Sequence, residues 1–274
     1  MLTLKERMKQ FYNHSEAYRD LLTSGERYRR DVELEHFVAL VDQFGPASGR
    51  FLDLGCGTGE TTQRLALKGH DVIGIDVSLL FLKARDLPLE ERVARFAVAD
   101  IASLPFQGHS VSCVCMNDVI EHIPEVDQLL EEIVRVLSND GTVIIASPNL
   151  LSPVKPLRHI FRIEGFNTNF YGSHLRAFTA IFSNTVQNLL KLISPRPTFI
   201  FRAPLLDGFQ CPDDDAVFLA NFIDLQKWFR CRGFSVKYLQ FKPAPDNLIG
   251  RMKSAILRWA PWLDKGFCLV ARRS

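Results

Sequence analysis

Two hydrophobic patterns alternate along this chain. Short continuous apolar runs, each closed by a glycine, aspartate or asparagine, predict buried strands over residues 51–54, 71–76, 95–100, 110–116 and 142–149. Between them the apolar positions recur at helical spacing, predicting helices from Gln63 onward and over 79–86 and 126–137, with Asn139-Asp140-Gly141 turning the chain into the fifth strand. Residues 1–46 read as a helical cap, with Phe37, Leu40, Val41 and Phe44 at a 3.6-residue period before Gly45-Pro46 stops the pattern. Beyond Asn149 the alternation breaks: 150–218 is loop-rich and aromatic with one helical pattern at 180–193. A helix over 219–233, a strand over 234–242 and a last strand over 266–272 follow. Alternating strands and helices of these lengths imply an α/β, doubly wound sheet, mostly parallel, with ligands expected off the carboxyl ends of its strands.

The end of the first strand carries the densest chemistry. Asp53-Leu54-Gly55-Cys56-Gly57-Thr58-Gly59 puts glycines at alternate positions between a strand and a helix, where the turn needs positive φ and a ligand must lie against bare backbone. A dinucleotide fingerprint wants a third glycine where Glu60 stands, so the spacing favours a nucleoside without a pyrophosphate. The motif resembles the first motif of class I S-adenosylmethionine-dependent methyltransferases of the broad type 11 sort. That resemblance covers residues 51–149 well and the later insertions poorly. It implies a Rossmann-like, seven-stranded sheet with inserted cap segments, dividing the chain into the 1–46 cap and a 47–274 methyltransferase domain with insertions at 150–218 and 243–264. It also implies S-adenosyl-L-methionine as cofactor, with Asp53, Gly55, Cys56, Gly57 and Gly59 lining the methionine moiety.

The other acids fall in register with that motif. Asp76 closes the second strand, where a carboxylate matches two vicinal ribose hydroxyls, and Val77 follows it. Asp100 closes the third, and by the resemblance accepts from the adenine amino group, with Ile101 beside it. Asn117 is expected to approach from the fourth strand, and Asn149 ends the fifth. Phe11-Tyr12-Asn13-His14 resembles the aromatic segment that many of these enzymes fold over the cofactor, core packing being the plainer reading.

Composition narrows the partners. A net charge of +2 on 274 residues gives no large field to gather polyanions, so nucleic-acid binding is not expected. No apolar run is long enough for a signal peptide or a spanning helix, and a cytoplasmic location is expected. Six cysteines without a C-x-x-C pair read as reduced small hydrophobes.

Asn117-Asp118-Val119-Ile120 lacks the Asn-Pro-Pro-Tyr pattern associated with planar nitrogens, and Glu121-His122 resembles quinone-pathway O-methylases. The expected reaction is therefore O-methylation of a small-molecule, lipid or glycan-precursor acceptor. A non-catalytic cofactor-binding subunit and a nicotinamide oxidoreductase are the alternatives. His122 is the candidate base, its ordinary pKa of about 6.5 suiting removal of a hydroxyl proton. Asp118, Glu121 and His122 also follow an acid-x-x-Glu-His pattern that resembles a divalent-metal site, and caps or packing would account for the histidine equally well.

Fourteen of the twenty-one phenylalanines follow residue 150, so the insertions carry apolar surface that either packs on the sheet or lines an acceptor pocket. Arg158-His159-x-x-Arg162 and His174-x-Arg176 read as a solvated basic face, with phosphate or carboxylate binding as the alternative, and Asp213-Asp214-Asp215 as acids favouring the positive end of a helix, with a metal site as the alternative. In 247–263, Ile249, Met252, Ile256, Trp259 and Leu263 recur at helical spacing among Arg251, Lys253 and Arg258. Packing on the protein is expected there, and weak membrane-surface contact is the alternative.

Overall fold

The central strands are apolar on both faces, which places them inside a layered structure. The computed structural model describes residues 2–16, 27–83, 94–161, 173–207, 213–242 and 247–273. Seven strands, β1 (Arg50–Leu54), β2 (Asp71–Asp76), β3 (Arg95–Val98), β4 (Val111–Asn117), β5 (Leu137–Pro148), β6 (Phe234–Gln240) and β7 (Gly266–Arg273), form one sheet in the order β3-β2-β1-β4-β5-β7-β6. β7 runs antiparallel to both neighbours; the other pairings are parallel. The strand order reverses between β1 and β4, and a crevice at that reversal is where an open α/β sheet takes its ligand.

The helices are α1 (Leu4–His14), α2 (Arg27–Phe44), α3 (Glu60–Leu67), α4 (Leu79–Lys83), α5 (Val126–Val136), α6 (Val154–Ile160), α7 (His174–Ile193), α8 (Phe222–Arg230) and α9 (Leu248–Trp259). Successive strand residues point to opposite faces, so each strand feeds two cores. Leu52, Leu54, Val114, Met116, Val143 and Ile145 join Leu129 and Ile133 of α5 and Trp228 of α8 on one face. Phe51, Cys113, Cys115, Ile144 and Cys268 meet Phe37, Val38 and Val41 of α2 on the other. α5 shows why such a helix forms here. Val126, Leu129, Leu130, Ile133 and Val136 recur every three or four residues and are all buried, each contributing roughly 1.5–3 kcal/mol by burial.

Four local expectations need correction. β5 begins at Leu137, ahead of the expected turn. Its register against β4 shifts between Leu137 and Thr142, so Asn139-Asp140-Gly141 forms a bulge, tolerated because a Cβ at Gly141 would lie 2.5 Å from Leu137 Cγ. α7 starts six residues earlier than its apolar pattern suggested, because Ser173 accepts from the Arg176 N–H as N-cap. Asp213-Asp214-Asp215 caps no helix: α8 starts at Phe222 under an Asn221 cap, and Asp213 sits at φ 75°. Of the cysteines, Cys113, Cys115 and Cys268 are buried, but Cys231 is exposed, and Cys211 lies outside the described residues.

Candidate functional site

The glycine turn after β1 is built by its neighbours. The N–H groups of Gly55 and Cys56 both donate to the Ile75 carbonyl of β2, at 2.7 and 3.0 Å, which folds the loop over the strand end. Gly55, Gly57 and Gly59 have φ of 70°, 53° and 84°. Their reasons differ. A Cβ on Gly55 would lie 2.5 Å from Val119 and one on Gly59 2.4 Å from Phe96, whereas a Cβ on Gly57 would meet nothing within 4 Å. Gly57 therefore presents bare backbone to open space, the cradle that a ligand needs.

The acids around this loop divide by depth. Asp76 accepts from the Gly57 N–H at 2.8 Å and the Ser78 N–H at 2.7 Å, so it ties the loop to β2. Burial pushes its carboxyl above the ordinary range despite those bonds. Asp53 lies beneath the loop, 2% exposed, and accepts from the Thr62 hydroxyl at 2.5 Å; burial, with the charge of Asp76, pushes it up to about 6. Its observed contact is thus to the first turn of α3. The Cys56 thiol is also pushed well up by burial. Asp100 accepts from Lys5 and Lys9 of α1, both at 2.9 Å, and from the Ala102 N–H at 3.0 Å. Burial opposes these contacts, yet they hold its carboxyl below the ordinary value. Ile101 is buried, Val77 and Asn117 half-buried.

α1 crosses this edge of the sheet. Besides the two lysines, Asn13 Oδ1 accepts from the Leu79 N–H at 3.2 Å, and the Ser78 hydroxyl donates to the Tyr12 carbonyl at 2.8 Å. The Tyr12 hydroxyl donates to Asp215 Oδ2 at 2.9 Å, which joins the N-terminal segment to the insertion after β5.

A second polar group gathers off β4. Asp118 stands at φ 53° with its N–H on the Ala146 carbonyl. It is exposed to solvent, and desolvation by neighbouring protein pushes its carboxyl up to about 7, with Asp213 and Glu33 adding to the rise and Lys155 and Lys242 opposing it. His122 lies beyond, in a short 3₁₀ turn. Its Nδ1 is 3.3 Å from Asp215 Oδ2, and its Nε2 is 3.7 Å from Glu121 Oε1. The Tyr12 ring meets the imidazole edge-on, centroids 6.4 Å apart. Glu121 is fully buried, accepts from the Ser147 hydroxyl at 3.0 Å, and is pushed well above the carboxylate range by burial and then by Asp118 and Asp213. The N–H groups of Val217 and Phe218 donate to the Glu121 carbonyl, and so anchor the strand of chain that delivers Asp215.

A family model described as a methyltransferase domain matches residues 52–145. The chain is 31% identical over 232 residues to a ubiquinone biosynthesis O-methyltransferase of Chelativorans sp. (strain BNC1), covering 81% of this chain and 83% of that one. The class I S-adenosylmethionine-dependent methyltransferases are its family. A demethylmenaquinone methyltransferase of Clavibacter sepedonicus is 34% identical over 111 residues, 39% of this chain and 45% of that one. A bifunctional biotin biosynthesis protein of Cellvibrio japonicus is matched over 27% of its length, at 30% identity, so these two relatives are spanned by less than half. Among solved structures, the PH0226 protein of Pyrococcus horikoshii OT3 matches with a TM-score of 0.55 at 17% identity over 95% of this chain and 99% of that one, which speaks for the fold. A methyltransferase from Mesorhizobium loti matches with a TM-score of 0.51 at 15% identity, over 86% and 96%.

The methyltransferase takes S-adenosylmethionine as its cofactor, and its residues suit that molecule. The cradle at Gly57 leaves bare backbone open, Asp76 closes β2, and Asp100 stands two residues beyond β3, which ends at Val98 rather than at Asp100 as expected; both carboxylates can accept from hydroxyl or amino donors. A nicotinamide oxidoreductase is set aside by the family. Asn149, expected at the ligand edge, is fully buried and donates instead to the Trp262 and Asp264 carbonyls. Among the described residues no group of three His, Cys, Asp or Glu side chains is placed to hold a metal ion, so the acid-x-x-Glu-His pattern of this methyltransferase does not assemble as a ligand set. His159 is buried with its ring 5.5 Å from that of His174, Arg176 is exposed, and Arg162 lies outside the described residues. Tyr12, Asp215, Lys5 and Lys9 were not foreseen as parts of the site; the loose aromatic motif around Tyr12 was the one signal that pointed there.

Proposed function

We propose that this methyltransferase moves a methyl group to a hydroxyl oxygen of a small-molecule, lipid or glycan-precursor acceptor, in the cytoplasm, with His122 taking the acceptor's proton. The observation carrying this reading is the group off β4: an imidazole between Asp215 and Glu121, beside the accessible Asp118 and one strand away from the glycine cradle. Relatives named for ubiquinone biosynthesis and for demethylmenaquinone support a metabolite acceptor.

The bound cofactor supplies a methyl group already made electrophilic by its sulfonium. The chain's own task is to bind, orient and remove a proton. Asp76 and Asp100 take the ribose hydroxyls and the adenine amino group, with Asp53 holding the loop through Thr62. Lys5 and Lys9 then share Asp100 with the base or move aside from it. Holding the acceptor oxygen in line lowers the barrier by orientation alone, which supplies much of the acceleration in such transfers. Asp215 lies 3.3 Å from Nδ1 of His122 and Glu121 3.7 Å from Nε2, so carboxylates stand on both sides of the ring that is to receive the proton; Tyr12 bonds Asp215. A second reading makes Asp118 the base, because it is the accessible carboxylate of the group and is pushed up to about 7.

Calorimetry should show binding of S-adenosylmethionine and its demethylated product, and none of NAD. Methyl-transfer assays over hydroxylated lipid, glycan-precursor and phenolic acceptors then test the acceptor class. Transfer confined to nitrogen acceptors would overturn the proposal.

A further inference from the structure

α7 is built inside out. Its polar side chains face the protein: Asn184 donates to the Ser152 carbonyl at 3.4 Å, Asn188 to that of Leu151 at 2.8 Å, and Lys191 is buried in an ion pair with Asp224. Its large apolar side chains face outward instead. Leu175, Phe178, Phe182, Leu189 and Ile193 are between 48% and 81% exposed and recur at helical spacing along one side. α9 repeats the arrangement with Leu248, Met252, Ile256 and Trp259, the last 92% exposed, while Leu257 is buried. The packing expected for 247–263 thus covers little of its apolar stripe.

The two helices flank one segment of chain. Residues 151–152 support α7, and an apolar cavity of about 460 Å³ lies between Val154, Met252, Ile256 and Leu257. Neither helix contains an aspartate or glutamate, although acids make up 31 of the 274 residues. Arg176 at the start of α7 and Arg251, Lys253 and Arg258 around α9 are all exposed beside the apolar stripes. Among the described residues no helix is long and apolar enough to cross a membrane.

We propose that α7 and α9 together form a docking face for an anionic lipid surface, on which the enzyme rests without crossing it. The chemistry of the face selects this occupant. Exposed leucine, phenylalanine and tryptophan side chains enter the boundary between headgroups and acyl chains, and the exposed Arg176, Arg251, Lys253 and Arg258 beside them pair with anionic headgroups.

The test is flotation of the full chain with vesicles of phosphatidylcholine alone and of phosphatidylcholine with phosphatidylglycerol in equal parts. The wild type is expected to float with the anionic vesicles and to be released by raised salt. Phe178→Glu with Phe182→Glu, at exposed positions, should lower the bound fraction by at least about ten-fold while S-adenosylmethionine affinity stays unchanged. Arg251→Glu with Arg258→Glu should weaken it without touching the apolar stripe, which covers the case of a misfolded first variant. Absence of flotation on anionic vesicles overturns the proposal. So does a wild-type dimer in sedimentation that the phenylalanine variant converts to monomer, since a second copy would then be the occupant.

Discussion

The two halves of the site are assembled in different ways. In the proposed cofactor half the glycine turn is held by contacts close in sequence, Gly57 to Asp76, 19 residues on, and Asp53 to Thr62, 9 residues on, while Asp100 is also reached by Lys9 of α1 across 91 residues. In the proposed acceptor half, Tyr12 bonds Asp215 across 203 residues, and Lys155 comes from α6 to the segment after β4 that carries Asp118 and His122. A nucleoside of fixed shape can be held by one strand–turn–helix unit and its neighbouring strands. In the function proposed here, the acceptor is met by what the insertions and the N-terminal helix bring in.

The largest expected effect breaks the acceptor half. His122→Ala, at saturating cofactor and with an acceptor identified by screening, should slow transfer by about 10²–10⁴-fold, the usual contribution of a positioned base. Chelation should leave the wild-type rate unchanged. If Asp118 is the base instead, His122→Ala leaves most of the rate, while Asp118→Asn removes it together with a rise in rate as pH passes about 7. Rate profiles of both variants separate the two readings.

This division also decides what the amino-acid sequence alone makes legible. The succession of strands and helices, the glycine turn and the acid closing β2 follow from short-range patterns, since apolar runs and glycine spacing are themselves local constraints. The role of Asp215 is not of that kind. Three consecutive aspartates carry no periodic signal, and the long-range bonds of Val217 and Phe218 to the Glu121 carbonyl, of Arg202 to the Ala216 and Val217 carbonyls and of Tyr12 to Asp215 are what bring Asp215 to His122. Asn149 shows the converse, for its place at a strand end suggested a ligand contact, yet its side chain holds the turn before β7. Outward-facing leucines and phenylalanines on α7 have the same period as inward-facing ones, so the pattern finds the helix and not the direction of its apolar face.

A smaller effect sharpens the cofactor half. Asp76→Ala removes an acceptor from the Gly57 and Ser78 N–H groups and from the ribose hydroxyls, and should weaken S-adenosylmethionine by about 1–3 kcal/mol, or roughly 5- to 150-fold. Calorimetry reads this directly.

The smallest effect is on stability. Asp53 is raised from its ordinary 3.8 to about 6, so the folded protein keeps a proton that the unfolded chain has released between those values. Its contribution to stability is fully present below pH 3.8 and lost as pH rises through about 6. Asp53→Asn cannot titrate, and its denaturation midpoint should change less across that window than the wild type's.

The separation of the halves is tested most directly by titrating S-adenosylmethionine into Gly57→Leu and into Asp215→Asn. A side chain at Gly57 meets no protein within 4 Å and enters the open cradle, so affinity should fall by more than about 100-fold with the fold retained, apart from roughly 1–2 kcal/mol of left-handed backbone strain. Asp215→Asn should keep the affinity within about three-fold, because Asp215 contacts Tyr12 and His122 and none of the glycine turn. Equal loss in the two variants would contradict the division, and so would full affinity in Gly57→Leu.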